Sequence, residues 1–222
     1  MRVATRLVPV LLVVAVVMLA RAPFLIDAAP YESTMGLVQK IFYFHVPSAL
    51  VAMTSAIVCG IASTVFLIRR RRLADHVALA AAELVVVFGL IVLVTGPLWA
   101  RKAWGAWWVW QDARLTITLV MWMLFAGYLL LRRFGGAGSE VLAAAVAIFG
   151  TALVPFVYWS VNIWRTQHPT TDVVATLPPE MRWPLRWSML AIFALSGALL
   201  ILRTQLERGR AELEDAYAAV EE

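Results

Sequence analysis

Two of the chain's three histidines stand just ahead of a proline: His45 in "IFYFHVPSA" and His168 in "TQHPTTD". Proline is tolerated in a first helical turn, so His45 is expected at or just before the start of a helix. The partial positive charge there disfavours imidazolium, and neutral imidazole is the form that binds a metal. Singly, each histidine also reads as a headgroup-region residue bonded to a loop carbonyl. Between them lies "KAWGAWWVWQDARLT", which puts Trp104, Trp107, Trp108 and Trp110 into seven positions and follows them with Asp112 and Arg114. On a helix, Trp104, Trp107 and Trp108 share one face. Two scattered tryptophans would make an interfacial belt, but four so close together exceed what anchoring requires. A dense apolar platform bordered by polar groups suits a flat, apolar ligand that carries carboxylates. A porphyrin has that form, with propionates for an arginine and an iron that accepts two axial imidazoles. The third histidine, His76, lies beside an arginine cluster and reads as a solvated loop residue.

The elements that must position these residues are membrane spans. The chain of 222 residues is 62% hydrophobic and only 15% charged, with a mean hydropathy of +0.81. About a quarter charged residues is usual for a soluble domain. The apolar residues gather into six segments of roughly bilayer length, about 7–26, 46–68, 77–99, 115–131, 141–161 and 185–203. This predicts an all-α integral membrane protein with six transmembrane helices and an outward-facing tryptophan-rich loop. The first segment also has signal-peptide length, with Ala20-Arg21-Ala22 resembling a cleavage site, but Pro23 directly after it favours a retained helix. "RRRR" at 69–72 and "RR" at 132–133 mark one side as cytoplasmic, with both termini. Eleven basic residues then lie inside and eight outside, so the tight arginine cluster is better evidence than the sum.

Three loops face outward on this topology, about 27–45, 100–114 and 162–184, and both proline-linked histidines fall in them. Residues 206–222 form a charged cytoplasmic tail that is able to extend the last helix. The basic excess reads as topology signal and lipid contact, not as nucleic-acid binding, and no phosphate-binding loop is present. The single Cys59, inside an apolar run, excludes a disulfide or a CxxC redox pair within the chain. Glu83, inside the third span, is a functional candidate by default, or a carboxylate snorkelling one turn from the inner surface.

At the tryptophan stretch, "WGAWWVWQDARLT" resembles the signature W-G-x-W-W-x-W-D-x-R of the haem-handling proteins of cytochrome c biogenesis. Within that group it looks like the haem exporter protein C family. "FHVPSA" and "TQHP" match that family's two outward histidine loops, and "PLRWS" at 184–188 matches the start of its last helix. The likeness covers about residues 30–205, so residues 1–205 are expected to form the six-helix haem-handling domain. It implies transiently bound haem b (iron protoporphyrin IX) on the outer face, with His45 and His168 as axial ligands and Trp104, Trp107, Trp108 and Trp110 as the platform. Asp112 and Arg114 take the polar places, with Arg114 as propionate partner. The implied partners are a periplasmic haem chaperone, ABC-type maturation subunits, a small accessory membrane protein and the lipid of a bacterial inner membrane.

One departure is plain. The signature places Asp directly after its last tryptophan, whereas here Gln111 intervenes. On a helix one extra residue rotates all later positions by about 100°, unless a π-bulge absorbs it, and the bulge is the expectation. The resemblance implies a binding and transfer component that catalyses no covalent step. The alternatives are a cytochrome c synthetase of the wider tryptophan-signature group, whose members are generally much longer, and a permease subunit, for which the spans offer few polar residues.

Overall fold

A computed structural model of the chain describes residues 2–164, 166–170 and 173–221. Arg165, Thr171 and Asp172, part of the loop that carries His168, lie outside the described residues. Six stretches are helical and apolar enough to cross a bilayer. They are built from α1 (Arg2–Ala28), α2 (Phe42–Arg69), α3 (Arg72–Trp104), α4 (Ala113–Phe134), α5 with α6 (Ser139–Ala152 and Val154–Ile163) and, after the single turn α7 (Val173–Thr176), α8 (Pro179–Glu221). Among the described residues there is no strand. The chain is therefore an all-α integral membrane protein.

Each helix overruns its apolar segment, because helices continue beyond the hydrocarbon with polar residues on their last turns. A 3-10 helix over Gly36–Ile41 runs straight into α2, so the helical backbone around His45 starts earlier than the proline rule predicts. The exposed N–H groups of that helix start thus lie well before His45, and their partial charge does not bear on it. The fifth span breaks at Leu153, where Pro155 has no N–H to continue the ladder. The 43 residues of α8 span about 65 Å, roughly twice the hydrocarbon thickness, so residues 206–221 prolong the last helix beyond it.

Apolar burial does not drive helix association inside lipid, so close packing and interhelical hydrogen bonds must. Ala56, Cys59 and Ala62 of α2 meet Ala78, Ala81 and Ala82 of α3 and Ala143 and Ala147 of α5 in one buried cluster. Among the described residues, side chains of one span donate to carbonyls of another: Trp122 to Val86 at 2.9 Å, Thr151 to Ala56 at 2.7 Å and Trp187 to Met18 at 2.8 Å. They bind α4 to α3, α5 to α2 and α8 to α1. Val13, Ile61, Leu90 and Leu130 turn outward, as lipid-facing residues should.

The arginine-rich end is held by ion pairs. Arg132 clasps Asp75 through both terminal guanidinium nitrogens, joining α4 to α3. Glu83 bonds Arg203 of α8 at 2.6 Å, and Arg203 also holds Glu207 one turn on. The intramembrane carboxylate is thus a paired strut between α3 and α8. His76 lies in the first turns of α3, half-buried, and is not the loop residue its neighbours suggested.

Candidate functional site

The opposite end gathers three connections: the 3-10 segment leading into α2, residues 105–112 between α3 and α4, and residues 164–178 before α8. His45 faces α3, where its Nδ1 is hydrogen-bonded to Thr95 Oγ1 at 2.9 Å. His168 sits in the third connection and donates from Nδ1 to the Pro169 carbonyl at 2.9 Å. The Arg114 charge reaches both imidazoles, and His45 also lies within electrostatic range of His168. The two histidines are 123 positions apart in sequence, and the fold puts both within reach of the Arg114 charge.

The tryptophan stretch is a loop, not a helix. Gly105, at φ +73°, ends α3 in the left-handed conformation that glycine adopts without cost, and Arg101 donates to its carbonyl. Trp104 therefore belongs to the last turn of α3 and packs edge-on against Trp99, with ring centroids 5.6 Å apart. Trp108 and Trp110 form a second edge pair at 5.9 Å. Trp107 and Trp110 are 57% and 67% exposed, so the indoles line a rim at different depths instead of one helical face. Gln111 occupies a turn closed by the Asp112 N–H donating to the Val109 carbonyl at 3.1 Å. The additional residue is absorbed there, ahead of α4, with no π-bulge and no helical rotation.

Asp112 is 2% exposed, and its carboxylate does two jobs. Oδ1 accepts from the backbone N–H groups of Arg114 at 3.0 Å and Leu115 at 3.2 Å, capping α4. Oδ2 accepts from the backbone N–H of Gln167 at 2.7 Å, next to His168. One carboxylate thus fastens the tryptophan loop to the histidine loop. The pattern of Asp ahead of an apolar run is a helix-start signal that was readable in the sequence. The bond to Gln167 was not, because it uses a backbone donor 55 residues away.

Arg114 follows in the first turn of α4, with Asp112 and Tyr158 as its charged and phenolic neighbours. Its Nη1 is buried and has no hydrogen-bond partner among the described residues, and the same holds for Trp108 Nε1. A buried cationic donor without an acceptor is costly, and a carboxylate is the group that satisfies it best. Among the described residues, no cluster of three or more His, Cys, Asp or Glu side chains is able to hold a bare metal ion. Two imidazoles are too few for a structural zinc site but are a full axial set for a metal that brings its own macrocycle.

Burial and, after it, the Arg114 charge hold the His168 pKa down to about 4, against the opposing pull of the Pro169 carbonyl and Asp112. A histidine whose folded pKa is depressed stabilises the fold above its unfolded value of about 6.5. That stabilisation is lost as pH falls from there towards 4, since the unfolded chain binds the proton first. A ring-nitrogen titration by NMR is therefore expected to show His168 neutral down to about pH 4. A midpoint near 6.5 would mean that the loop leaves it in water.

Fold and site together define a class: multi-pass helical membrane proteins with paired histidines and a tryptophan-rich loop at one end of the bundle. Within that class, the chain belongs to the heme exporter protein C family, whose model, described as "Heme exporter protein C", matches residues 1–218. It is 35% identical over 182 residues to heme exporter protein C of Escherichia coli K12, covering 79% of this chain and 72% of that protein. The counterpart in Bradyrhizobium diazoefficiens is 32% identical over 214 residues, covering 94% and 79%. A mitochondrial protein of Marchantia polymorpha named for cytochrome c biosynthesis is 32% identical over 180 residues, covering 80% and 77%.

Proposed function

We propose that this chain binds haem b where its three tryptophan-end connections meet and delivers it to a haem chaperone during cytochrome c biogenesis. The observation that carries the reading is a buried arginine with an unsatisfied donor, Arg114, whose charge reaches both His45 and His168. His45 and His168 would supply the axial nitrogens, Arg114 would receive a propionate, and Trp104, Trp107, Trp108 and Trp110 would form the apolar rim. When bound, the group would supply an iron centre that accepts imidazole nitrogens. Asp112 acts one step back, holding the two loops in register.

The two histidines differ in what holds them. His45 is part of a long helix packed against α3, whereas His168 belongs to an irregular loop tied by the Asp112–Gln167 bond and a Thr166 hydroxyl donating to the His168 carbonyl at 3.2 Å. Loop segments open locally at lower free energy than packed helices. Release would therefore begin on the His168 side, which suits a carrier that must let go. Holding and releasing need no covalent catalysis, so the chain acts as a transfer component and not as an enzyme.

The arginine clusters at 69–72 and 132–133 favour an inner-membrane orientation with both termini in the cytoplasm and the histidine end in the periplasm, where the chaperone works. Residues 1–205 form the haem-handling unit on this reading, and 206–222 a cytoplasmic tail. ABC-type maturation subunits and a small accessory membrane protein complete the assembly. The reading is tested by handover. Haem-loaded chain is mixed with purified chaperone, and the two are separated. Haem is expected to move to the chaperone. If the chain keeps its haem while free haem loads the same chaperone, delivery is excluded.

A further inference from the structure

The bonds around His45 decide which of its ring nitrogens carries the proton. Thr95 Oγ1 lies 2.6 Å from the Ile91 carbonyl oxygen, one helical turn back, and 2.9 Å from His45 Nδ1. A hydroxyl has one proton. Two oxygens at 2.6 Å need a proton between them, and the carbonyl has none to give, so the threonine proton points to Ile91. Towards His45, Thr95 is left with lone pairs only. His45 must then donate from Nδ1, and its Nε2 keeps the bare lone pair.

We propose that Thr95 is a positioning residue that locks His45 in the Nδ1-protonated tautomer, presenting Nε2 to the site. Gly96, next along α3, runs beside the same ring: a Cβ there would stand in ordinary contact, 3.4 Å from His45 Cε1. His168 is locked in the same sense by different means, because the Pro169 carbonyl can only accept from its Nδ1. Two histidines from different elements thus offer the same nitrogen, one held by a side chain on a neighbouring helix and the other by its own loop. An orienting acceptor on the far nitrogen fixes a ligand's direction and raises its basicity. The tautomer stands on hydrogen bonds alone; only its consequence for the iron rests on the haem reading.

The test uses haem-free chain carrying 15N-labelled histidine, of which there are three, with signals assigned by His45→Gln and His76→Gln. The parent is expected to show His45 Nδ1 protonated and Nε2 unprotonated. Thr95→Val, similar in shape but without an acceptor, should release the lock and give a mixture of tautomers, while Thr95→Ser should restore the parent pattern. With haem added, Thr95→Val should bind about ten- to a hundred-fold more weakly than the parent, the usual cost of losing such an orienting partner. A parent His45 protonated on Nε2 overturns the proposal without any variant. A Thr95→Val chain that keeps the parent tautomer overturns it too. Because both readouts precede haem addition, a chain that binds no haem would sink the functional reading and leave this one standing or falling by itself.

Discussion

Asp112→Ala is expected to uncouple the tryptophan loop from the histidine loop and to abolish stable haem loading without dismantling the bundle. Removing the cap of α4 costs about 1 kcal/mol. Leaving the half-buried Gln167 N–H without its acceptor costs up to about 1–3 kcal/mol more. Together that is about 2–4 kcal/mol, or a factor of roughly 30 to 1,000 in the population of the closed loop pair. The latches between the spans, such as Trp122 to Val86 and Thr151 to Ala56, do not involve this end and should hold. Hydrogen exchange at the Gln167 and His168 amides should therefore rise sharply while the helix cores stay protected. Asp112→Asn keeps one carbonyl acceptor but must turn an NH2 group towards one of three N–H donors, so its effect should fall between. If Asp112→Ala lost haem with the exchange at Gln167 unchanged, the carboxylate would be touching the ligand directly, and its role as a clamp would be wrong.

The spans were the most legible feature because crossing a bilayer requires runs of about 20 apolar residues, which few soluble elements possess. All six segments stand as helices, each longer than its apolar core. The tryptophan stretch was misread for a specific reason. Trp104, Trp107 and Trp108 have helical spacing, but Gly105 between them is a helix stop and not a small spacer. That one residue turns a supposed flat platform into a loop with indoles at different depths. It also removes the problem of Gln111, since an additional residue in a turn changes loop length and leaves helix phase alone.

The polar partners were the least legible. Thr95 is a lone threonine inside an apolar span, and such residues usually do no more than back-bond to the preceding turn, as this one also does. Its second bond, to a histidine 50 positions earlier, exists only because α2 and α3 pack side by side. The same holds for Glu83 and Arg203, 120 positions apart, where the charge was visible and the partner was not. Composition and motif named the candidate ligands; tertiary packing supplied what orients them.

The central proposal is that His45 and His168 would both ligate the haem iron, and absorption spectroscopy on detergent-purified chain addresses it most directly. Losing either one leaves an open position. The parent loaded with haem should give the six-coordinate, low-spin spectrum of two axial imidazoles. His45→Ala and His168→Ala should each lose that signature and regain it when free imidazole fills the vacated position. The double variant should retain almost no haem, and His76→Ala, at the far end of α3, should match the parent. A low-spin, two-imidazole spectrum that survives in both single variants without added imidazole would contradict the account, for it would place the haem on other residues.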